Sequence, residues 1–206
     1  LIGDVAILHK QIFQKIEEKV DKARKQAKQK FYRTRIRAVQ ELIRLDHRLV
    51  LAPLQEALQD EHEQVRAVAA TQLGRFGSSR VVKPLTEAMK DESPGVRTAA
   101  ARALGRCGDE SVFTALIGGL MDDERGVRQA SYNSLRPLSG QPIQFDPQKS
   151  GDDQPEAVRK WRLWFEDNQN KVIRGNWYRM RTPIGQRIGT LRFHGGGTLS
   201  AVDNGL

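Results

Sequence analysis

Residues 53–74 read Pro-Leu-Gln-Glu-Ala-Leu-Gln-Asp-Glu-His-Glu-Gln-Val-Arg-Ala-Val-Ala-Ala-Thr-Gln-Leu-Gly, and residues 84–105 repeat the same Pro, Asp, Val-Arg and Leu-Gly positions. The step from Pro53 to Pro84 defines one period, and a further step of the same length carries Asp91 to Asp122. An earlier, more divergent copy precedes them. Self-similarity at a fixed period of this length is typical of stacked helical repeats. We therefore predict a solenoid of about four units between residues 22 and 140.

Each unit is predicted to form two helices joined by an acidic turn. In one unit the apolar segment 50–58 supplies the first helix, with Pro53 tolerated near its start. The turns 60–63, 91–94 and 122–124 each precede a Val-Arg-rich segment, where a carboxylate caps the free N–H groups at the start of a helix. The second helices are expected at residues 64–75, 95–106 and 126–135, with Val, Ala and Leu facing the core.

The shared pattern Leu-x-x-Ala-Leu/Met-x-Asp-x-x-x-x-Val-Arg-x-x-Ala-x-x-x-Leu-Gly resembles the HEAT repeat, in particular the short bacterial form named after phycobilisome lyase subunits. The resemblance implies an all-α, right-handed superhelix. It also implies a scaffold or accessory subunit that mediates protein–protein interactions in a larger complex. It implies no particular reaction, because one fold carries many functions.

The chain divides into four parts by composition. Residues 1–30 are predicted to form a basic amphipathic helix, and residues 31–140 the HEAT-repeat array. Residues 141–170 combine a turn-rich loop with a Trp-rich capping helix. Residues 171–206 form a basic, Gly-rich and irregular extension, in which segments 190–194 and 198–202 are candidates for a hairpin.

Both ends of the array carry a helix with an apolar stripe. The stripe of the first helix is expected to cap the first repeat, with docking on a membrane surface or an acidic partner as the alternative. In the last helix, Trp161, Trp164 and Phe165 share one side and are expected to cover the apolar end of the array. Stacking of these rings on a base or a glycan is the alternative. The first stripe comprises Leu8, Ile12, Ile16, Val20, Ala23 and Ala27.

The net charge of +9 is unevenly distributed. Residues 1–50 carry +7, residues 51–158 carry −4 and residues 159–206 carry +6. Basic ends attract acidic partners, so a nucleic-acid-associated (ribonucleoprotein) role through the termini and a membrane-surface role through the first helix stay open beside a protein partner. The single Cys107 and four separated histidines give no metal-ligand pattern. We expect no metal, no cofactor and no small-molecule substrate.

The recurring Asp and Arg of the turns are interpreted as structural. Six oppositely charged residues in register could bind or polarise a ligand, but their regular spacing favours a ladder. In this ladder each Arg donates to turn carboxylates or carbonyls of adjoining units and satisfies buried polar groups. The predicted ladder comprises Asp60, Arg66, Asp91, Arg97, Asp122 and Arg128.

A second set of basic and polar residues is interpreted as a partner-binding stripe on the concave side. Three of its arginines follow the buried Leu of successive second helices at intervals of one period, and they should line up on one side of the array. The alternative is solvated charge that complements the helix dipoles. The predicted stripe comprises Arg44, Arg75, Arg102, Arg106, Gln129 and Asn133.

Three enzyme classes are associated with HEAT-like repeats, and the residues favour none of them. Deoxyhypusine hydroxylases carry His-Glu pairs on their helices, whereas here Ala-Val, Thr-Ala and Gln-Ala follow Val-Arg, and the lone His62 and Glu63 lie in a turn. A bilin-lyase-like enzyme subunit would need a pigment pocket, and a DNA glycosylase would need a strongly basic groove. We therefore predict that the chain is not an enzyme, with the bilin-lyase-like subunit as an alternative.

Overall fold

The computed structural model describes the backbone of residues 2–43, 48–107, 111–174, 178–181, 187–194 and 198–202, and side chains within 14–42, 49–107 and 111–168. Along the array the helices alternate between two layers, so that each unit contributes a first and a second helix. The first helices are α1 (Ile2–Ala27), α3 (Leu51–Ala57), α5 (Val82–Ala88) and α7 (Ser111–Gly119). The second helices are α2 (Tyr32–Ile43), α4 (Glu63–Leu73), α6 (Pro94–Leu104) and α8 (Arg125–Ser139). Short 3-10 helices at Arg48–Val50 and Ser79–Val81 lead into α3 and α5.

The second helices form the more closely packed layer. Each of them packs along the next, whereas the first helices cover one side of this layer and contact one another less. Small residues permit the approach. A Cβ atom on Gly74 would lie 2.6 Å from Cβ of Ala103, and one on Gly105 would lie 2.5 Å from Oγ of Ser134. This close approach explains the glycine of the Leu-Gly motif. The exposed surface of the second helices is called the inner face below.

The second helices begin where the sequence predicts acidic turns. His62, Ser93 and Glu124 occupy the N-cap positions with extended backbone. The N–H of Gln64 donates to Nδ1 of His62 at 3.2 Å and so gains a partner at the helix start. Pro94 fills the first position of α6, where a missing N–H costs nothing.

The apolar positions that recur once per period form one continuous core. Val65, Ala69 and Leu73 of α4 are at most 1% exposed, and their counterparts in the next two units are fully buried. Burying a Val or Leu side chain stabilises a fold by about 1.5–3 kcal/mol, so each unit depends on contact with its neighbours. The counterparts are Val96, Ala100, Leu104, Val127, Ser131 and Leu135.

Both ends of the array are covered by helices. Val20 and Ala23 of α1 are buried in the core and Ile16 packs against it, as the predicted capping stripe requires; the side chains of residues 8 and 12 lie outside the described residues. Arg24 of α1 also pairs with Glu56 of α3, with 3.3 Å between Nη2 and Oε1. At the other end, α9 (Pro155–Arg174) packs against α7.

The C-terminal extension contains a three-stranded antiparallel sheet of β1 (Tyr178–Arg181), β2 (Arg187–His194) and β3 (Thr198–Val202), in that order. His194 lies opposite Thr198 and Thr190 opposite Val202, so the hairpin predicted from the sequence is confirmed. Strand β1 was not expected.

The predicted all-α solenoid is confirmed for the array. Its turns lie along one edge and its closely packed second helices along one face, and these two regions carry the residues singled out by the sequence. Within the described ranges, no helix is both long enough and apolar enough to cross a membrane.

Candidate protein-interaction site

A regular ladder of arginine–aspartate pairs links the turns of successive units. In one rung, Nε and Nη2 of Arg66 donate to the two carboxylate oxygens of Asp91 in the next unit at 2.8 and 2.9 Å. Nη1 of the same guanidinium donates to the carbonyls of Asp60 and Glu61 in its own turn at 3.0 and 3.2 Å. One buried side chain therefore binds two consecutive turns at once.

The same geometry recurs on both sides of this rung. Arg97 donates to the carboxylate oxygens of Asp122 at 2.8 and 3.0 Å. Arg35 donates to those of Asp60 at 2.8 Å each, and its Nη1 donates to the carbonyls of Gln29 and Lys30. Paired, planar contacts of this kind are the strongest form of Arg–carboxylate interaction.

Each aspartate of the ladder also caps its own turn. Oδ1 of Asp60 accepts the N–H of His62 at 2.8 Å, and Oδ1 of Asp91 accepts the N–H of Ser93 at the same distance. Asp122 does the same for Glu124 at 2.9 Å. Because each carboxylate is engaged by a guanidinium and by a backbone N–H, these side chains have little capacity left for a ligand.

The ladder holds Asp91 in its charged form. Burial alone would raise the pKa of this carboxyl, but the Arg66 guanidinium, the N–H of Ser93 and the charge of Arg97 outweigh burial and lower its pKa below the ordinary value. The hydrogen bonds to the aspartates raise the pKa of Arg35, Arg66 and Arg97, against the opposite effect of burial. The Arg66–Asp91 pair is therefore ionic at neutral pH.

The last arginine of the ladder has different partners. Arg128 donates to the carbonyls of Asp122 and Asp123 at 2.7 Å each, as the other arginines do to their own turns. Its Nε donates to the carbonyl of Pro147 at 3.2 Å, where the other rungs have a carboxylate. The turn-rich loop after α8 thus replaces the turn of a further unit.

The structure brings together all six residues of the predicted ladder and adds one that the prediction omitted. Arg35 makes a complete rung, although the divergent first copy has Gln29 at the position where later copies have an aspartate. The signal was present in the sequence, because Arg35 precedes Arg66 by one full period. That the ladder has a structural role remains our proposal.

The predicted partner-binding residues lie on the inner face, apart from Arg44, which lies outside the described residues. Arg75 and Arg106 follow α4 and α6, Arg102 lies within α6, and all three are exposed. On α8 the amide of Gln129 donates to Oδ1 of Asn133 at 2.9 Å. Arg75 and Arg106 occupy equivalent places one period apart, as do Arg102 and Asn133, and their role in binding a partner stays a proposal.

The inner face is polarised between its two edges. The turns at the start of the second helices present Glu61 and Glu92, whose side chains are 82% and 86% exposed. The opposite edge presents the arginines at and beyond the helix ends. An α-helix of this length spans roughly 16 Å, so two edges of opposite charge lie that far apart. Each edge complements the helix dipole, which favours acids at the start and bases at the end.

A surface cavity of about 490 Å³ lies at the end of the inner face, beside α8. Arg136 lies at its rim, with the guanidinium carbon 5.7 Å from the ring centroid of Tyr132. Gly140 closes the helix in a left-handed conformation at φ 66°, and its N–H donates to the carbonyl of Arg136 at 2.9 Å. The lining residues are Asn133, Arg136, Pro137, Gly140, Gln141 and Pro142. The repeat could not predict this cavity, because residues 140–142 follow the periodic part of the chain.

The aromatic residues of α9 lie together as predicted from their spacing. Trp161 is fully buried. Trp164 and Phe165 pack on Phe113 of α7, with ring centroids 5.4 Å apart in both pairs. These contacts are those of a cap on the last unit, and the capping role remains a proposal.

The other candidates for chemistry are dispersed. Among the residues whose side chains the structure describes, no three His, Cys, Asp or Glu come together so as to hold a metal ion. His62 stacks on Tyr32 with ring centroids 3.8 Å apart. Cys107 is buried, and its Sγ donates to the carbonyl of Ala103 at 3.6 Å.

These features define the class of the protein as a helical-repeat protein. The sequence matches the family described as HEAT repeats over residues 20–87 and 51–136, which together span more than half of the chain. The chain belongs to the HEAT-repeat family. HEAT repeats commonly mediate protein interactions.

Two solved structures are similar to this chain. Human deoxyhypusine hydroxylase in complex with glycerol is 26% identical, with a TM-score of 0.55, and the match covers 62% of this chain and 46% of that chain. The complex of CpcE and CpcF of phycocyanin lyase from Nostoc sp. PCC7120 is 19% identical, with a TM-score of 0.47, and the match covers 60% and 66%. The chain thus spans less than half the length of the hydroxylase. No curated protein matches it significantly by sequence.

The prediction that the chain is not an enzyme is corrected by the first of these similarities. Human deoxyhypusine hydroxylase is an enzyme with a comparable helical array, so membership of this fold does not exclude catalysis. The prediction was wrong because it inferred the absence of catalysis from the missing features of three enzyme classes. Nucleic-acid and membrane partners gain no support from the comparisons.

Proposed function

We propose that this chain is a HEAT-repeat scaffold or accessory subunit that binds a protein partner in a larger assembly through its inner face. The observation that carries the proposal is the set of exposed arginines on and beyond α4 and α6. Within the described part of the chain, Arg102 and Arg106 have no carboxylate at ion-pair distance. Arginine is enriched in protein interfaces, where its planar group binds carboxylates in pairs.

The ladder supports the proposal by fixing the spacing of the units. Each buried rung joins two turns, and the close contacts at Gly74 and Gly105 hold the second helices together. Little conformational entropy is then lost when a partner binds, because the surface is already ordered. A rigid array with an exposed charged row is therefore suited to recognition.

The competing explanation for the row is solvated charge that complements the helix dipoles. The two explanations differ in what substitution does. Loss of dipole complementation changes stability by about 0.3–1 kcal/mol per residue and leaves partner binding intact. Loss of interface contacts abolishes binding and leaves the fold intact.

The test is affinity purification of the tagged chain from the cells that naturally make it. Mass spectrometry then identifies the proteins that copurify with it. The inner variant replaces Arg75, Arg102 and Arg106 by Glu. Its matched control replaces Arg80, Lys83 and Lys90, exposed residues beside and on the outer helix α5, with the same change of charge. We expect the inner variant to lose the partner and the control to keep it.

Equal recovery of the partner with the inner variant, the matched control and the unmodified protein would refute the proposal. Circular dichroism and thermal unfolding of each variant establish that the fold is retained.

The similarity to human deoxyhypusine hydroxylase supports a second proposal, that the chain contributes to a hydroxylating enzyme. The test is incubation of the purified chain, and of its native complex, with a deoxyhypusine-containing protein, dioxygen and a two-electron reductant, which together supply the inserted oxygen atom and reduce the other oxygen atom to water. A mass increase of one oxygen atom would support this role. An unchanged substrate mass with both preparations would contradict it.

A further inference from the structure

We propose that the inner face binds an acidic segment of a protein partner, with one carboxylate side chain of that segment entering the cavity beside Arg136. This inference rests on the proposed function and names the chemistry of the partner. The cavity and the arginine row carry it together, because Asn133 in the cavity lining lies one period after Arg102 and occupies the equivalent place on the next second helix.

The charge of the last two units supplies the first argument. The helical segments Pro94–Leu104 and Arg125–Ser139 contain arginines but no Asp or Glu. Arg102 and Arg106 are exposed, and among the described residues no carboxylate pairs with either. A partner that brings carboxylates to this surface forms charge-assisted hydrogen bonds without breaking any ion pair of Arg102 or Arg106.

The cavity supplies the second argument, because its polar groups are already oriented. Arg136 lies against the ring of Tyr132, and Oδ1 of Asn133 accepts from Gln129, which leaves the Asn133 amide N–H groups as donors. Pro137 and Pro142 form two of its walls. A guanidinium and an amide donor fit a carboxylate, and rigid walls reduce the entropy lost on binding.

The polarity of the inner face favours an acidic protein segment over a nucleic acid. Glu61 and Glu92 pair with Arg35 and Arg66 but their side chains remain 82% and 86% exposed, and they lie at the far edge of the same helices, roughly 16 Å from the arginines. A phosphate backbone that crosses the face would approach these carboxylates, and like charges repel. A protein segment can instead place acidic residues on the arginine side and neutral residues elsewhere.

The test measures fluorescence anisotropy of a labelled peptide of repeated Glu-Glu-Gly-Ser units against the full chain. A peptide of repeated Lys-Lys-Gly-Ser units and a thymidine oligonucleotide are the comparison probes. We expect saturable binding of the acidic peptide, at least about tenfold weaker for the Arg102→Glu, Arg106→Glu double variant. An Arg80→Glu, Lys83→Glu double variant, with the same change in net charge, should stay within about twofold of the unmodified chain.

The cavity is tested separately with a pair of substitutions on α8. Arg136→Gln should lower the affinity for the acidic peptide about three- to tenfold, whereas Arg136→Lys should retain part of that affinity through its charge. Arg125→Gln removes an exposed charge at the other end of the same helix and should change affinity by less than about twofold. Thermal unfolding verifies that each variant is folded.

The inference is overturned if the acidic peptide does not bind, or if inner and outer double variants weaken it equally. It is also overturned if the oligonucleotide binds the inner face more tightly than the peptide and loses affinity in the same variants.

The two proposals can fail separately. If binding of the native partner requires the arginines but the acidic peptide does not displace that partner, the proposal of an acidic segment is wrong and the proposed scaffold role stands. If the native complex is indifferent to the inner variant, the scaffold proposal itself is wrong.

Discussion

Arg66 and Arg106 both belong to rows that recur once per period, yet the structure gives them opposite surroundings. The guanidinium of Arg66 is buried, and it makes hydrogen bonds to two carboxylates and to two carbonyls. Arg106 is exposed beyond the end of α6. Arginine therefore links successive units in one row, whereas in the other row its side chain is exposed and can contact a partner.

The comparison teaches that period and function are separate properties of a repeat. A constant interval shows that residues occupy equivalent places in successive units. Burial and hydrogen bonding decide what those places do, and neither can be obtained from the interval.

The largest expected effect in this comparison comes from Arg66→Ala. The substitution leaves the largely covered Asp91 carboxylate without its guanidinium partner, and removing one member of a buried pair costs about 3–5 kcal/mol, so a loss of about 3 kcal/mol is expected here. Arg106→Ala should change the free energy of unfolding by no more than about 0.5 kcal/mol. Urea denaturation of both variants checks the difference. Equal losses would show that the two rows are not distinct.

Arg128→Ala should cost less than Arg66→Ala, about 2–3 kcal/mol, because it leaves carbonyls rather than an unpaired carboxylate. Asp122 keeps its contact with Arg97 in this variant. The same urea experiment ranks the two. A loss as large as that of Arg66→Ala would contradict the role assigned to the carboxylate.

The close packing of successive second helices, which holds both arginine rows in place, is tested by Gly105→Ala. The new Cβ would meet Ser134 and push α6 from α8, at a cost of about 1–2 kcal/mol. Gly118→Ala is the matched control in α7, where a Cβ meets nothing within 4 Å, and it should stabilise the helix slightly. Thermal unfolding compares them. A neutral Gly105→Ala would mean that the units separate without loss.

The smallest expected effect is a dependence on pH that comes from Asp91. Its pKa is lowered in the folded state, so its stabilisation is complete above the ordinary carboxyl pKa of about 4 and is lost as the pH falls through the folded value. The unmodified chain should therefore lose stability in acid more steeply than Asp91→Asn. Urea unfolding at a series of pH values measures the slopes.

Asp152→Asn provides the control for this titration, since Asp152 is exposed and lies outside the ladder. Its slope should match that of the unmodified chain. Identical slopes for Asp91→Asn and the unmodified chain would contradict the assigned role of the ladder in acid stability.

Much of the array could be predicted from the sequence because its signals are local and repeated. The Asp and Val-Arg positions marked the turns and the start of each second helix, and apolar spacing marked the core. The spacing of Trp161, Trp164 and Phe165 placed one face of α9. Each of these inferences needs only neighbours in sequence or one period.

The candidate site was harder to predict because it depends on contacts between units and on segments without a period. The first copy has Gln29 where later copies have an aspartate, and the prediction omitted the Arg35 rung. This rung forms because Nη1 of Arg35 needs only the backbone carbonyl of Gln29, just as Nη1 of Arg66 uses that of Asp60. The cavity depends on Pro137 inside α8 and on the loop from Gly140 onward. Catalytic capacity was misjudged because the missing features of three enzyme classes cannot exclude other chemistry.

The two-sided reach of each rung has a consequence for how such a chain can grow. The segment 91–121 carries an aspartate that receives the preceding arginine and an arginine that reaches the following aspartate. If a gene duplication copied this segment in place, Arg97 of the first copy would meet the aspartate of the second, and the second Arg97 would meet Asp122. Every donor and acceptor of the ladder would again be matched. Lengthening by whole segments would therefore leave no charged side chain of the ladder unpaired at the junctions.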